Sequence, residues 1–554
     1  RLRGVDTKLA ARFKRLEVTT VRDLLYLFPR RHIDYSTITK ISEVSPDEPC
    51  TVVGTVWESR AIKQGYQGRR VDTEAVLSDE SGNIKVVWFG QRYLARTLKP
   101  NTRIAISGKA SVFNGQLVFE PPDYELLELV LFRAIPRQDV KPLARRLIEV
   151  FKDFNGVLTA EPARLHQVEG VGPAVVTELK IVEAAAQLQL PRNADFNDAK
   201  QDGFGLYQVT QKDGERWSAS RAYVEPLRRS KTLDVRIGVN VQRLEIEDGR
   251  VTGVAYTVGP KERTVRARGA VVLSAGAFNS PQILMLSGIG PAAHLKEHGI
   301  EVALDRSAVG SDLQDHIDYV SSWATESKDF IGDSLAGTVR MAKAIVEHRR
   351  KRTGIMTTPY AEAGGFWTVM PDAPAPDVQW HFVPAMLEDH GRTKVKGHGF
   401  SLHACVLRPE SRGTVRLGGR DARLAPRIDP NFLDDDRDIA ILREGVRLSH
   451  RIARSPSLAK YDPQDRYPID LDDDAQLDEL IRNRADTVYH PVGTCRMGAD
   501  EGAVVDSTLK ARGIDGLYVA DASVMPRLIS GNTNAPSIMI GERCADFVQA
   551  VLAA

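Results

Sequence analysis

The chain has 554 residues, more than one domain holds, with 42% hydrophobic and 27% charged residues and a net charge of only +2. That composition excludes a disordered, collagenous or disulfide-stapled chain, and four scattered cysteines without Cys-x-x-Cys or Cys/His spacing predict no metal site. No run approaches the ~18 apolar residues of a membrane span and the basic N-terminus lacks an apolar signal core, so a cytoplasmic protein without a membrane span is expected.

The charge is uneven: residues 1–120 carry about +7 and residues 191–554 about −3, a bias that leans the first part towards polyanions. Thr7 to Glu17 reads as a short basic amphipathic helix, and Leu24–Phe28 as a second one stopped by Pro29. Period-two strands follow at Thr51–Trp57, Val71–Leu77, Ile84–Phe89, Arg103–Ser107, Ser111–Phe113 and Gln116–Phe119. Asn114-Gly115 between alternating runs is a hairpin signal. Short strands in this number, with one long connection, predict an OB-type β-barrel.

Leu24-Leu25-Tyr26-Leu27-Phe28-Pro29-Arg30-Arg31, Val53-Gly54-Thr55-Val56 and Val87-Trp88-Phe89-Gly90-Gln91-Arg92-Tyr93-Leu94 resemble the wedge domain of the branched-DNA helicase RecG over nearly the whole of residues 1–127. By spacing alone Phe89 and Tyr93 also suit the barrel core. The resemblance implies instead that they stack on bases at a fork, with Gly90 where the family has Asn, and that Arg92, Arg96 and Lys99 neutralise phosphates. The sequence holds no Gly-x-x-x-x-Gly-Lys-Ser/Thr loop, so this segment is expected to bind DNA without hydrolysing ATP.

Pro142–Phe151 reads as a helix. Val168-Glu169-Gly170-Val171-Gly172-Pro173-Ala174 then leads into a helix over Val175–Ala186. A Gly-Val-Gly turn opening a helix suits a helix-hairpin-helix, in which Gly170 and Gly172 let backbone N–H groups approach a phosphate; it equally suits two packed helices with no ligand. Tyr124–Phe132, Asp139–Ala144 and Thr177–Lys180 resemble the N-terminal part of RadC, which implies a small helical domain over residues 128–189. Nothing matching that family's metalloprotease-like half follows.

Leu190 to Gly203 reads as a linker, Val239–Val254 as a hairpin turning at Glu247-Asp248-Gly249, and Ala270–Ser274 as a buried strand. Gly276-Ala277 then leads to a helix over Gln282–Leu286, expected to be capped by Ser280. Near the end lie a histidine turn, Tyr489-His490-Pro491-Val492-Gly493-Thr494, an apolar strand ending in Asp, Leu517–Asp521, and an Asn-rich turn, Ser530–Pro536, opening a helix.

These stretches, with Gly276–Pro291, Val309–His316, Arg408–Gly413 and Ile428–Asn431, resemble the glucose–methanol–choline (GMC) flavoprotein oxidoreductases, alcohol and choline dehydrogenases among them, over residues 190–554. The resemblance implies FAD as cofactor, an alcohol as substrate, His490 as the base and Asn532 as a hydrogen-bond donor to the developing alkoxide. It also implies cofactor contacts at Val241, Asp521, Ala522, Asn534, Ala535 and Pro536. The Gly-x-Gly-x-x-Gly unit with which that family begins does not occur in the chain. The expected architecture is therefore multidomain: a β-barrel wedge, a small helical domain, and a truncated α/β GMC fold with an exposed sheet edge or a disturbed core. Weak or absent flavin binding follows, and two alternatives stand beside the oxidoreductase: a forked-DNA-binding protein, or a chimeric fusion of three gene fragments.

Overall fold

The computed structural model describes residues 39–46, 48–64, 70–89, 94–100, 103–113, 116–119, 123–126 and 173–553. The expected helices at 7–17, 24–28 and 142–151, the Asn114-Gly115 turn, Arg92, Tyr93, Gly170, Gly172 and the side chain of Arg96 lie outside the described residues. The chain divides into two compact units, Arg1–Arg133 and Ala134–Ala554.

Among the described residues the first unit holds one sheet of six strands: β1 (Pro49–Gln64), β2 (Arg70–Ser78), β3 (Asn83–Trp88), β4 (Arg103–Phe113), β5 (Gln116–Phe119) and β6 (Asp123–Leu126). They pair in the order β1-β2-β3-β5-β4-β6, and β1 also pairs β4, so five strands close a ring with β6 added outside it. The two separate runs expected at 103–113 are one continuous strand. Alternate residues fill the interior, with Val52, Val56, Leu77, Ile84, Val86, Trp88, Ile104 and Ile106 among the buried apolar side chains.

In the second unit α1 (Pro173–Gln187) comes first. It forms where the sequence predicts a helix, but Ile181, Val182, Ala184 and Ala185 are buried in the core of this unit, against its main sheet. The sequence reading gave this helix to a separate small domain. Its apolar face joins the larger body because the sheet, with the helices over Asp436–Ala453 and Pro456–Ala459, offers apolar surface to cover it.

That sheet is antiparallel and contains β7 (Gly203–Leu206). Next in the chain come β8 (Asn240–Glu247), β9 (Arg250–Val258) and β10 (Lys261–Arg266), a separate three-stranded sheet whose first turn places Asp248 and Gly249 at positive φ, as the Asp-Gly pair predicts. β11 (Val271–Leu273) runs into α2 (Gly276–Leu286). The main sheet resumes with β12 (Ile317–Thr325), β13 (Ala363–Trp367), β14 (Val378–Val383) and β15 (Gly397–Val406), in the order β12-β15-β14-β13-β7. α3 (Asp436–Ala453) covers one face, β16 (Leu517–Val519) returns to pair β11, and α4 (Asn534–Ala553) ends the described chain.

Strand periodicity divides the main sheet chemically. Val378, Trp380 and Phe382 of β14 and Phe400, Leu402, Ala404 and Val406 of β15 belong to the core shared with α1 and α3, and Trp380 donates from its indole to Ser449 of α3 at 3.0 Å. The intervening Gln379, His381, Ser401, His403 and Cys405 face the other way. A sheet with helices on one side has little use for histidines on the other unless that face meets something polar.

The pair β11–β16 is parallel and only three residues long, and the two strands form a two-stranded sheet by themselves. Val272 in its middle is 43% exposed. A parallel pair is normally buried on both faces and flanked by further strands; β16 is buried and bonded to residues 509–511 on its outer edge, whereas β11 has no further strand beside it among the described residues, the exposed edge expected of a truncated α/β sheet. One expectation fails: α2 begins at Gly276, four residues before Ser280, and Ser280 is not its cap. The Gly276 N–H donates to the Asp521 carboxylate instead, so the helix start is held by a residue 245 positions away.

Candidate active site

Two loops, 312–316 and 490–494, are zipped together by backbone hydrogen bonds between Gln314 and Val492, at 3.1 and 2.8 Å. Gly493 has φ +93°, and a Cβ there would come within 2.2 Å of the Asp312 carbonyl, so only glycine lets the loops close. Tyr489, just before, takes φ +67°. The result presents His490 at the end of a turn whose N–H is held by the Asp315 carboxylate at 2.8 Å; the other Asp315 oxygen accepts from the Thr487 hydroxyl at 2.5 Å.

His490 is almost fully buried. Its Nδ1 lies 2.9 Å from Nδ1 of His316, and the two rings stand edge to face with centroids 5.1 Å apart. On its other side Nε2 lies 3.2 Å from the amide nitrogen of Asn532, which is itself exposed. The structure thus brings together the two residues the sequence selected for chemistry. It adds His316, present in the matched stretch 309–316 but given no role there. It also adds Asp315, whose usual job in such a stretch is invisible without the loop pairing.

Burial dominates the electrostatics. It pulls the His490 pKa down to about 4 and that of His316 down to about 3, and His316 is further lowered by its histidine neighbour. His381 is lowered to about 3 by burial and by the neighbouring His403, His490 and His316. Burial also raises Asp315 to about 6, against the hydrogen bonds that favour its charged form. At neutral pH the histidines are therefore neutral bases. On the sheet face beside them His403 binds the Asp318 carboxylate through Nδ1 at 2.6 Å. Nothing in a period-two strand distinguishes His381 or His403 from an ordinary core position, and the sequence reading missed both.

The Asp521 side chain is committed within the protein. One carboxylate oxygen accepts from the Gly276 N–H at 2.9 Å and the Ser280 hydroxyl at 2.5 Å, and the other from the Ser523 N–H at 2.8 Å. The side chain is buried and saturated, so it braces the turn after β16 against the start of α2, and only backbone groups at 521–522 remain for a ligand. Val241 lies on β8, which among the described residues pairs no strand but β9; on the other edge the Leu244 N–H donates to the Ser287 hydroxyl at 2.8 Å. Asn534 and Ala535 are exposed at the start of the 20-residue α4, and an added Cβ at Gly276, Gly531 or Gly541 would meet nothing within 4 Å. The side of the cluster facing α4 is therefore open, with a helix N-terminus beside it, and fits a bulky group carrying negative charge. Of the expected nucleic-acid contacts, Phe89 is 39% exposed at the end of β3, outside the barrel core that spacing alone allowed it.

Two models of the GMC oxidoreductase family match the chain, over residues 145–318 and 409–541. An alcohol dehydrogenase [acceptor] of Pseudomonas putida is 39% identical over 417 residues, covering 73% of this chain and 75% of its own. The chain belongs to the GMC oxidoreductase family. An oxygen-dependent choline dehydrogenase of Paraburkholderia phymatum is 37% identical over 392 residues, 69% of this chain and 68% of its own. Among solved structures, formate oxidase of Aspergillus oryzae matches with a TM-score of 0.64 at 28% identity, covering 69% of this chain and 71% of that one. Pyridoxine 4-oxidase of Mesorbium loti matches with a TM-score of 0.60 at 28% identity, covering 68% and 70%. FAD is the cofactor of this GMC fold, and the open, helix-flanked side of the His490 cluster fits its ring end. The RecG wedge domain matches residues 2–142, and the GMC match reaches back to residue 145, into the stretch that also resembles RadC. No helix among the described residues is long and apolar enough to cross a membrane.

Proposed function

We propose that the second unit oxidises a primary alcohol with FAD, with His490 as the base. The observation that carries this is the neutral, buried His490 with Nε2 directed at Asn532 on the open side of the cluster. FAD supplies the hydride acceptor. His490 takes the hydroxyl proton at Nε2, and the Asn532 amide moves its hydrogen bond from that nitrogen to the alkoxide oxygen as charge develops there. Asp315 fixes the height of the histidine turn. Asn534, Ala535 and Pro536 would hold the flavin ring, the backbone at Asp521 and Ala522 the pyrophosphate and ribityl chain, and the backbone at Val241 the adenine. Because the sequence has no Gly-x-Gly-x-x-Gly and β11 pairs no strand other than β16 among the described residues, the diphosphate is held poorly and FAD binds weakly to this chain. The test is dye-coupled oxidation of a panel of primary alcohols with FAD in excess. Turnover that falls by ~10²–10⁴-fold in His490→Ala supports the assignment; equal turnover in the variant rejects it.

A second reading applies to the first unit and rests on exposed Phe89 at the end of β3 within a closed ring of five strands, an OB-type arrangement. Phe89 stacks on an unpaired base at a DNA fork, a contact worth about 1–3 kcal/mol. Preference for forked over duplex DNA at low salt, weakened in Phe89→Ala, is the expected result; no preference and no effect of the substitution would remove this reading.

A further inference from the structure

Nε2 of His316 faces two backbone carbonyl oxygens, Leu407 O at 3.1 Å and Ile529 O at 3.0 Å. Carbonyls only accept, so this nitrogen must carry the hydrogen. A neutral His316 then has a bare Nδ1, which must accept, and the only group it faces is Nδ1 of His490 at 2.9 Å. His490 must therefore carry its hydrogen on Nδ1, leaving Nε2 as the lone pair towards Asn532, whose amide N–H donates to it at 3.2 Å. We infer that His316 is a positioning residue: two main-chain carbonyls fix its tautomer, and it passes that choice to His490, so the nitrogen facing the open side of the cluster is the basic one.

The alternative needs hydrogens on both nitrogens of His316, so that it donates to the carbonyls and to His490 together. His316 has no solvent exposure, and no carboxylate is among its hydrogen-bond partners. Burial beside a second imidazole disfavours the cation, in line with its pKa of about 3. The arrangement replaces the carboxylate that usually orients a catalytic imidazole with a neutral relay, which avoids burying a charge next to the base. The inference deepens the proposed alcohol oxidation, yet the tautomer itself depends on neither flavin nor substrate.

The test is ¹⁵N NMR of the full chain labelled in its histidine rings, at neutral pH without FAD, with the two signals assigned by their loss in His490→Gln and His316→Gln. The expected result is pyrrole-type Nδ1 and pyridine-type Nε2 for His490, and the reverse for His316; a pyrrole-type Nε2 on His490 overturns the inference. In His316→Gln the amide can donate to the carbonyls and accept from His490, so the His490 tautomer is retained. His316→Leu removes the acceptor and shifts His490 towards the Nε2–H form, and an unchanged His490 pattern there also overturns it. In turnover, His316→Leu is expected to lose kcat by ~10²-fold or more with KM little changed, while His316→Gln keeps most of it. If no alcohol is oxidised by any form, the proposed reaction fails while the ¹⁵N pattern still decides the tautomer.

Discussion

His490, His316 and His381 are all kept neutral by burial, and this has a consequence for stability that is independent of turnover. Each takes a proton at about pH 6.5 when unfolded but only at about 4, 3 and 3 when folded. Between those values the unfolded chain binds more protons, so the contribution is complete above about pH 6.5 and is lost as pH falls through that window. Asp315 acts in the opposite sense. Raised from 3.8 to about 6, it is protonated first in the folded chain and stabilises it as pH falls from about 6 to 4. Three groups against one leave a net loss, so the urea midpoint of the second unit falls from about pH 6.5 to 4, and falls less in His381→Gln. A midpoint that stays flat or rises would contradict the buried neutral cluster. At the same scale Asn532→Ala removes one donor to the developing alkoxide and is expected to lower kcat by roughly 10²-fold, read in the dye-coupled assay.

At the scale of elements, two distant contacts hold the site together. Asp521 gathers the Gly276 N–H, the Ser280 hydroxyl and the Ser523 N–H on one buried carboxylate, tying β16 to the start of α2. Asp521→Ala leaves those donors without partners and is expected to cost about 1–3 kcal/mol in urea unfolding. Gly493→Ala forces a Cβ to within 2.2 Å of the Asp312 carbonyl at a positive φ, so the two loops must separate. The expected outcome is loss of at least ~1 kcal/mol together with loss of the His316–His490 contact, visible as a change in the His490 ring signals. The histidine turn, the 239–254 hairpin, the β11 strand and the barrel strands were legible because each carries a local signal: period-two alternation, Asp-Gly, or a motif in register. The start of α2 was not, since its cap comes from Asp521, 245 residues along the chain. His316, His381 and His403 were also hidden. His381 and His403, on strands, say nothing until the sheet register shows that their neighbours on the same face are polar too, and His316, on a loop, until the pairing of 314 with 492 brings it to His490.

At the scale of the whole molecule, the match to the RecG wedge domain ends at residue 142 and the match to the GMC family begins at 145, close to the division at Arg133/Ala134 between two compact units. Each unit has its own buried core, so each is expected to unfold in its own transition, with different urea midpoints. The helix α1 belongs to the later unit by its packing, and the GMC match also includes it. What composition and motifs could not convey is how the GMC fold closes without its glycine fingerprint. The structure leaves a short parallel pair with Val272 exposed, while the histidine cluster, built from the antiparallel sheet and two loops, is intact. The most direct measurement is the visible spectrum of the purified, desalted protein, recorded before and after adding excess FAD and then a primary alcohol. The account predicts no flavin band after desalting, a bound-flavin band with added FAD, and bleaching by the alcohol that His490→Ala abolishes. A bound-flavin band that never appears at any FAD concentration, or one that bleaches equally in His490→Ala, would contradict it.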